Sequence, residues 1–336
     1  MKAMILAAGF GKRLQPLTLK RAKPAIPVMN VPLILHNLKF IKRHGINKAV
    51  INLHYLPDSI KNIVGDGSRF GMDITYSYET EIMGTAGGLK KAEEFLKNST
   101  FIMVNSDTLI DFDLQDAIRF HRENNSIATM ALTDVSDGEE YGPVEVDENS
   151  RVRNILGKVK WSGKPLQRRV FVGVHILESR IFDIIPSGVF YEINAQVYPM
   201  LIEKGEKVFG YNLSGYWNDV GTLKRYLKVH NEIFQDKIPF IKRKYEVESY
   251  QTGENCTITG GNVDLKFAVL GENCRVGNNT AIVESIVLDN VKIGKSVRMK
   301  MTIIDNGVSI DDGMVIENSV VYMDARGERK IVPIPD

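Results

Sequence analysis

The sequence predicts a doubly wound α/β domain followed by a parallel β-helix, on three observations. Over residues 1–230 short apolar runs alternate with helical patterns, as strands covered by helices require. The first run, Met-Ile-Leu-Ala-Ala at 4–8, breaks into a loop with glycine at 9 and 11. Beyond residue 250 the pattern changes to a repeat of 17 to 18 residues.

The run at 4–8 is short, apolar and bounded by glycine, which suits a buried parallel strand ending at the ligand-binding edge of a sheet. Further strands are expected at 49–52, 74–78, 101–104 and 127–135. A helix is readable from Pro32 in its first turn, from Leu35, Leu38 and Ile41 at spacing three, and from Gly45 just past its end. Residues 231–250, with Pro239 and the basic cluster Lys242, Arg243 and Lys244, read as a connector.

In the repeat region Ile258, Val276, Ile293 and Ile310 close equivalent segments separated by 18, 17 and 17 residues. Aliphatic or cysteine residues alternate with polar ones, and Asn or Gly stands at the corners. This pattern resembles a left-handed parallel β-helix of about three six-residue strands per coil. Cys256 and Cys274 then take equivalent inward sites as small buried hydrophobes, with a redox pair on neighbouring coils as the alternative. The expected division is a catalytic domain at 1–230, a connector at 231–250, the β-helix at 251–325 and a tail at 326–336.

A chain of 336 residues accommodates two domains with separate cores. Its 43 basic and 41 acidic residues leave a net charge of +2, too small a field for a nucleic-acid partner, so a small anion is the better fit. No run reaches membrane-spanning length, and the opening apolar stretch is too short for a signal peptide. A cytoplasmic protein without a membrane partner is expected. Two cysteines without a Cys-x-x-Cys pair indicate neither a zinc site nor a disulfide scaffold.

Without Cβ atoms at Gly9 and Gly11, backbone N–H groups can approach phosphate oxygens. A bare Gly-x-Gly is equally a tight turn. Arg13, two residues past Gly11, adds a forked donor, and Lys23, which opens Lys-Pro-x-x-Pro, adds a flexible ammonium; the alternative is two solvated surface cations. Asp107 ends an apolar strand and can present its carboxylate at the same sheet edge, the competing use being a turn or helix cap.

The segment at 6–28 resembles the signature of the sugar-phosphate nucleotidyltransferases, Gly-x-Gly-x-Arg-Leu-x-Pro-Leu-Thr followed by Pro-Lys-Pro, with Ala22 for the first Pro. Gly-Thr-Ala-Gly-Gly-Leu at 84–89, Asn-Ser-Asp at 105–107 and Trp-Asn-Asp-Val-Gly-Thr at 217–222 extend the resemblance over nearly the whole chain. It implies a Rossmann-like catalytic domain in which a sugar 1-phosphate attacks the α-phosphorus of a nucleoside triphosphate. The products are a nucleotide sugar and pyrophosphate, formed without a covalent intermediate or a base. Arg13, Lys23, Asp107 and Asp219 become the catalytic residues, with Asp107 and Asp219 holding Mg²⁺. Leu6, Ala8, Gly9, Gly11, Arg13, Glu81, Gly84, Thr85 and Gly87 become nucleotide-binding. An exposed Glu81 is ordinarily only solvated.

On the sugar side the resemblance implies Gly142 after Tyr141, Lys158, Gly173 and Glu192. The family's Phe-x-Glu-Lys-Pro appears as Ile-Leu-Gly-Lys-Val at 155–159, so Gly157 replaces a carboxylate that would accept sugar hydroxyls. The glycine segment at 84–89 most resembles the mannose-1-phosphate guanylyltransferase branch, which implies GTP and mannose 1-phosphate. Thymidylyl-, uridylyl- or adenylyltransferase activity on glucose 1-phosphate, or a non-catalytic regulatory subunit binding nucleotide sugar, are the alternatives. Hexapeptide-repeat acyl transfer needs a histidine base, and the last histidine is His230, ahead of the repeats. The open ends of a β-helix invite association, so a homo-oligomer is expected.

Overall fold

The computed structural model describes residues 1–134, 142–238 and 249–335. The chain divides into two compact units. One comprises Met1–Phe10, Ala22–Ala25 and Leu33–Asp219; the other comprises Gly11–Arg21, Ile26–Pro32 and Val220–Asp336. This division interleaves segments that the sequence assigns to a single N-terminal stretch.

In the first unit the apolar strand Lys2–Leu6 lies between Lys48–Leu53 and Phe101–Asn105, parallel to both, and Asp73–Tyr78 continues the parallel set. Chain order reverses at Lys2–Leu6, so its carboxyl end is a switch point, where ligands bind in open α/β sheets. Gln167–Leu177 runs antiparallel to Phe101–Asn105 and to Ala128–Thr133, which Val208–Asn212 joins in parallel. The expected strands at 49–52, 74–78 and 101–104 are present, and 127–135 is a strand over Ala128–Thr133. Val135, Tyr141, Pro239 and the basic cluster at 242–244 lie outside the described residues.

The expected helix forms at Leu33–Arg43, with Pro32 just ahead of it in the two-residue strand Val31–Pro32. Its buried face carries Leu33, Ile34, Leu38 and Ile41, and Gly45 follows at φ +82°. Two apolar clusters make the core of this unit, centred on Ile5, Ile51 and Val104 in one and on Met4, Met103 and Met130 in the other. Alternate residues of Lys2–Leu6 serve opposite clusters, as a strand covered on both faces must.

In the second unit three parallel sheets stack coil on coil. One contains Tyr250–Thr252, Ala268–Leu270, Ile286–Val287, Ile303–Ile304 and Ser319–Met323, to which Arg329–Pro333 adds antiparallel. Registers such as Thr257 with Arg275 and Arg275 with Lys292 reproduce the 18- and 17-residue periods. Asn255, Asn273 and Asn290 turn one corner at φ +56° to +60°, and the next coil uses Gly307 at +71°. Along that corner Asn255 donates to Asn273 at 3.3 Å, and Asn273 to Asn290 at 3.2 Å. Cys274 is buried in the coil core and Cys256 packs against it, each thiol donating to a backbone carbonyl, of Leu288 and Gly271 respectively. Burial pushes the Cys274 thiol up to about 12, which keeps it an uncharged packing group.

The helix Leu223–Phe234 holds the Ile26–Pro32 segment within the second unit. Its N-cap Thr222 accepts from the Arg225 N–H, the Tyr226 hydroxyl donates to the Pro27 carbonyl at 2.6 Å, and the Met29 N–H donates to His230 Nε2 at 3.1 Å. His230 Nδ1 faces the Tyr226 carbonyl, so the neutral ring is the form that satisfies both partners. Burial lowers His230 to about 4, and lowers His175, beside the Tyr198 hydroxyl in the first unit, to about 3. Both folded values lie below the unfolded value of about 6.5. The stabilisation is therefore complete above that pH and is lost as pH falls toward 4 and 3. Urea denaturation at pH 7 and pH 5 is expected to show roughly 2 kcal/mol lost per histidine, and less in His175→Gln. Equal stability at the two pH values would contradict it.

Candidate active site

Three charged side chains of the first unit converge. Lys23 Nζ donates to Asp107 Oδ2 at 2.7 Å and lies 3.7 Å from Asp219 Oδ1. The strand Phe101–Asn105 ends two residues before Asp107, which does not close the strand as expected but lies in the turn to Thr108–Phe112. That second strand pairs antiparallel with Gly215–Asp219, in a register that sets Asp219 opposite Thr108. Two aspartates more than a hundred residues apart thus become neighbours. Lys23 reaches them from the turn Lys23–Ala25, itself buried, with the Ala25 N–H closing on the Ala22 carbonyl at 2.9 Å.

The turn around Asp107 is pinned from behind. Asn37, buried on Leu33–Arg43, donates to the carbonyls of Ser106 and Thr108 at 3.2 and 3.1 Å, and the Ser106 N–H donates to the Leu6 carbonyl at 3.1 Å. Gly173, at φ +85°, lies against Asn105: a Cβ there would come within 3.0 Å of that side chain. Asn105 stands two residues before Asp107, so the sugar-side candidate Gly173 packs on the strand end that leads to a catalytic candidate.

At the switch point the Ala7 N–H donates to Asn52 Oδ1 at 2.7 Å, Asn52 donates to Glu79 Oε1 at 2.7 Å, and Glu79 Oε2 accepts from the Met83 N–H at 3.0 Å. Asn52 and Glu79 are buried and tie three strand ends to the helix Gly84–Lys91. A Cβ on Gly88 would stand 2.5 Å from Glu79 Oε1, which explains that glycine. Sequence reasoning singled out Glu81, which is exposed, and passed over Glu79, Asn52 and Asn37. For Asn52 and Glu79 the available signal was a polar residue at the carboxyl end of a strand; Asn37, inside the helix Leu33–Arg43, carries no such signal.

The start of Gly84–Lys91 packs on residues 189–193. The Tyr191 carbonyl accepts from the N–H groups of Ala86 and Gly87 at 2.9 and 3.0 Å, and Cβ atoms on Gly84 or Gly87 would stand 2.6 Å from backbone oxygens. Thr85 donates from its hydroxyl to Glu192 Oε2 at 2.7 Å and accepts from the Ile193 N–H at 2.8 Å. The nucleotide candidates Gly84, Thr85 and Gly87 and the sugar candidate Glu192 therefore share one cluster.

The Leu156 side chain, in the turn that precedes Lys158, would lie 2.0 Å from a Cβ on Gly142. Leu156 and Gly157 have φ +55° and +67°, and the Lys158 N–H closes on the Ile155 carbonyl at 3.0 Å, a tight turn that disfavours side chains at position 157. Lys158 is exposed at its end.

Leu6, Ala8 and Gly9 belong to the first unit, and Gly11 and Arg13 to the second. A Cβ on Gly9 would meet nothing within 4 Å, so protein packing does not require glycine there. Gly11, at φ +64°, starts the turn Lys12–Leu14 that carries Arg13, and its carbonyl accepts from the Leu14 N–H and the Thr18 hydroxyl, both at 3.0 Å. Among the described residues no three His, Cys, Asp or Glu side chains form a metal cage. A hard divalent ion bound by one or two carboxylates completes its shell with phosphate oxygens and water, and Asp107 with Asp219 fits that donor set.

The nucleotidyl transferase family matches residues 2–236, and a GlmU-like C-terminal hexapeptide family matches 241–326. A UTP–glucose-1-phosphate uridylyltransferase from Synechocystis sp. is 31% identical, covering 99% of this chain and 87% of its own. A mannose-1-phosphate guanylyltransferase from Mycobacterium tuberculosis is 29% identical, over 87% of this chain and 80% of its own. Among solved structures, a Bacillus anthracis protein assigned as a glucose-1-phosphate thymidylyltransferase, in complex with sucrose, superposes with a TM-score of 0.59 at 25% identity, over 68% of this chain and 94% of its own. Matching 235 of 336 residues and carrying a left-handed β-helix of hexapeptide repeats behind them, the chain belongs to the nucleotidyl transferase family and is a sugar-1-phosphate nucleotidyltransferase.

Proposed function

We propose that the protein transfers a nucleotidyl group from GTP to mannose 1-phosphate, giving GDP-mannose and pyrophosphate. The observation that carries the reading is the convergence of Lys23 with Asp107 and Asp219 at the sheet edge. The attacking oxygen belongs to the sugar phosphate and is already anionic. It forms a bond to the α-phosphorus while the bond from that phosphorus to the β-phosphate bridging oxygen breaks, and no proton need move. The protein's task is to hold two polyanions in line and to stabilise charge on the departing pyrophosphate.

In this reading Arg13 binds the β- and γ-phosphates, Lys23 contacts the α-phosphate or the incoming sugar phosphate, and Gly9 and Gly11 let backbone N–H groups approach. Asp107 and Asp219 hold Mg²⁺, which supplies positive charge to the triphosphate. Leu6, Ala8, Glu81, Gly84, Thr85 and Gly87 surround the nucleoside, and Gly142, Lys158, Gly173 and Glu192 the sugar phosphate. Glu192 Oε1 has no hydrogen bond among the described residues and is available to a sugar hydroxyl. UTP with glucose 1-phosphate is the second reading, favoured by the Synechocystis relative.

Pyrophosphate release measured over a matrix of four triphosphates and several sugar 1-phosphates should be highest for GTP with mannose 1-phosphate and should vanish on chelation of Mg²⁺. A maximum at another pair replaces the substrates, and no release with any pair removes the activity. Asp107→Ala, Lys23→Ala and Arg13→Ala should each lower turnover about 10²-fold or more with the fold retained by circular dichroism. A folded Asp107→Ala variant with near-normal turnover would contradict the assigned role. We further expect a cytoplasmic homo-oligomer associating through the β-helix. Light scattering should then give a multiple of 37.8 kDa, against which a monomer at all concentrations would count.

A further inference from the structure

The segment Gly11–Arg21 carries Arg13 and is anchored, within the second unit, along one edge of the β-helix. Asp305 Oδ1 lies 2.9 Å from Arg21 Nη2, with side chains only 6% and 15% exposed. One coil further, the Met323 carbonyl accepts from Lys20 Nζ at 3.2 Å; two coils back the Leu270 carbonyl accepts from Asn30 Nδ2 at 2.8 Å, a contact made by the separate segment Ile26–Pro32. Leu270, Asp305 and Met323 all stand at or just past the carboxyl ends of strands in the same sheet, those ending at Leu270, Ile304 and Met323.

The repeat itself does not ask for a carboxylate at 305. The equivalent positions of the two preceding coils are Gly271 and Leu288, each donating its N–H to the next coil as Asp305 does to the Val321 carbonyl. A buried carboxylate there is costly unless it is paired, and the cation that pairs it comes from the N-terminal segment. Burial raises the Asp305 carboxyl above its ordinary range despite Arg21, so the coil gains little from the group.

We propose that Asp305 is a positioning residue for nucleotide binding, acting through Arg21 to fix the loop that bears Gly11 and Arg13. The inference rests on the reading of that loop as a triphosphate site. It assigns the β-helix a part in substrate affinity, exerted through a side chain that touches no substrate.

The test measures binding of a non-hydrolysable GTP analogue by calorimetry, together with KM for each substrate, in Asp305→Asn, Arg21→Gln and the double variant. The expected result is a loss of nucleotide affinity of about five- to tenfold in each single variant, no greater in the double, with KM for mannose 1-phosphate unchanged. Asp311→Asn, which breaks the exposed pair with Arg329 elsewhere on the β-helix, should leave all three values unchanged. If Asp305→Asn misfolds, Arg21→Gln approaches the same contact from the loop side. Unaltered nucleotide affinity, additive losses, or losses shared equally by both substrates would overturn the inference. Arg13→Ala measured in parallel separates the two levels: affinity lost there but not in Asp305→Asn overturns the positioning role alone, whereas affinity kept in Arg13→Ala removes the phosphate reading of the loop.

Discussion

One ammonium group between two carboxylates organises the first unit. Asp107 and Asp219 both approach Lys23 Nζ, and Lys23 and Asp219 are largely removed from water. Two like charges so placed would raise each other's energy, and a cation between them removes most of that penalty. Each partner arrives by a different route: a parallel strand delivers Asp107, an antiparallel ribbon delivers Asp219, and a proline-bearing turn delivers Lys23. The result is a cluster of opposite charges, one cation flanked by two anions, in which Lys23 and Asp219 have little access to water.

The hydrogen bonds behind this cluster decide how rigid it is. Asn37 grips both carbonyls flanking Asp107, and the Asn52 and Glu79 side chains link the end of the opening strand to the helix Gly84–Lys91. These buried polar groups have specific partners, so they fix geometry more than they add stability. Preorganisation of this kind is what charge stabilisation in a transition state needs, because groups already in place cost no reorganisation.

Much of this was legible from the residues. The 17- and 18-residue spacings gave the coil registers directly, since a stacked repeat fixes which residues pair, and the corner asparagines followed from the left-handed backbone they adopt. The apolar run before Gly9 marked the central strand. Pairing between distant segments was not legible: no local pattern sets Asp219 opposite Thr108 or brings Glu192 to Thr85. Nor does composition reveal that residues 11–21 and 26–32 fold with the β-helix, because the Arg21 to Asp305 ion pair and the His230 bond to Met29 join positions some two hundred or more residues apart. Gly157 is a case where family comparison suggested a missing carboxylate and the backbone supplied the reason, a turn with two successive positive φ angles.

Electron paramagnetic resonance of Mn²⁺, used in place of Mg²⁺, gives the most direct view of whether Asp107 and Asp219 hold a metal together with the triphosphate. One bound Mn²⁺ per chain is expected when nucleotide is present, and binding should weaken sharply in Asp107→Asn and in Asp219→Asn. Tight nucleotide-dependent Mn²⁺ binding that survives both substitutions would show that these carboxylates do not form the metal site.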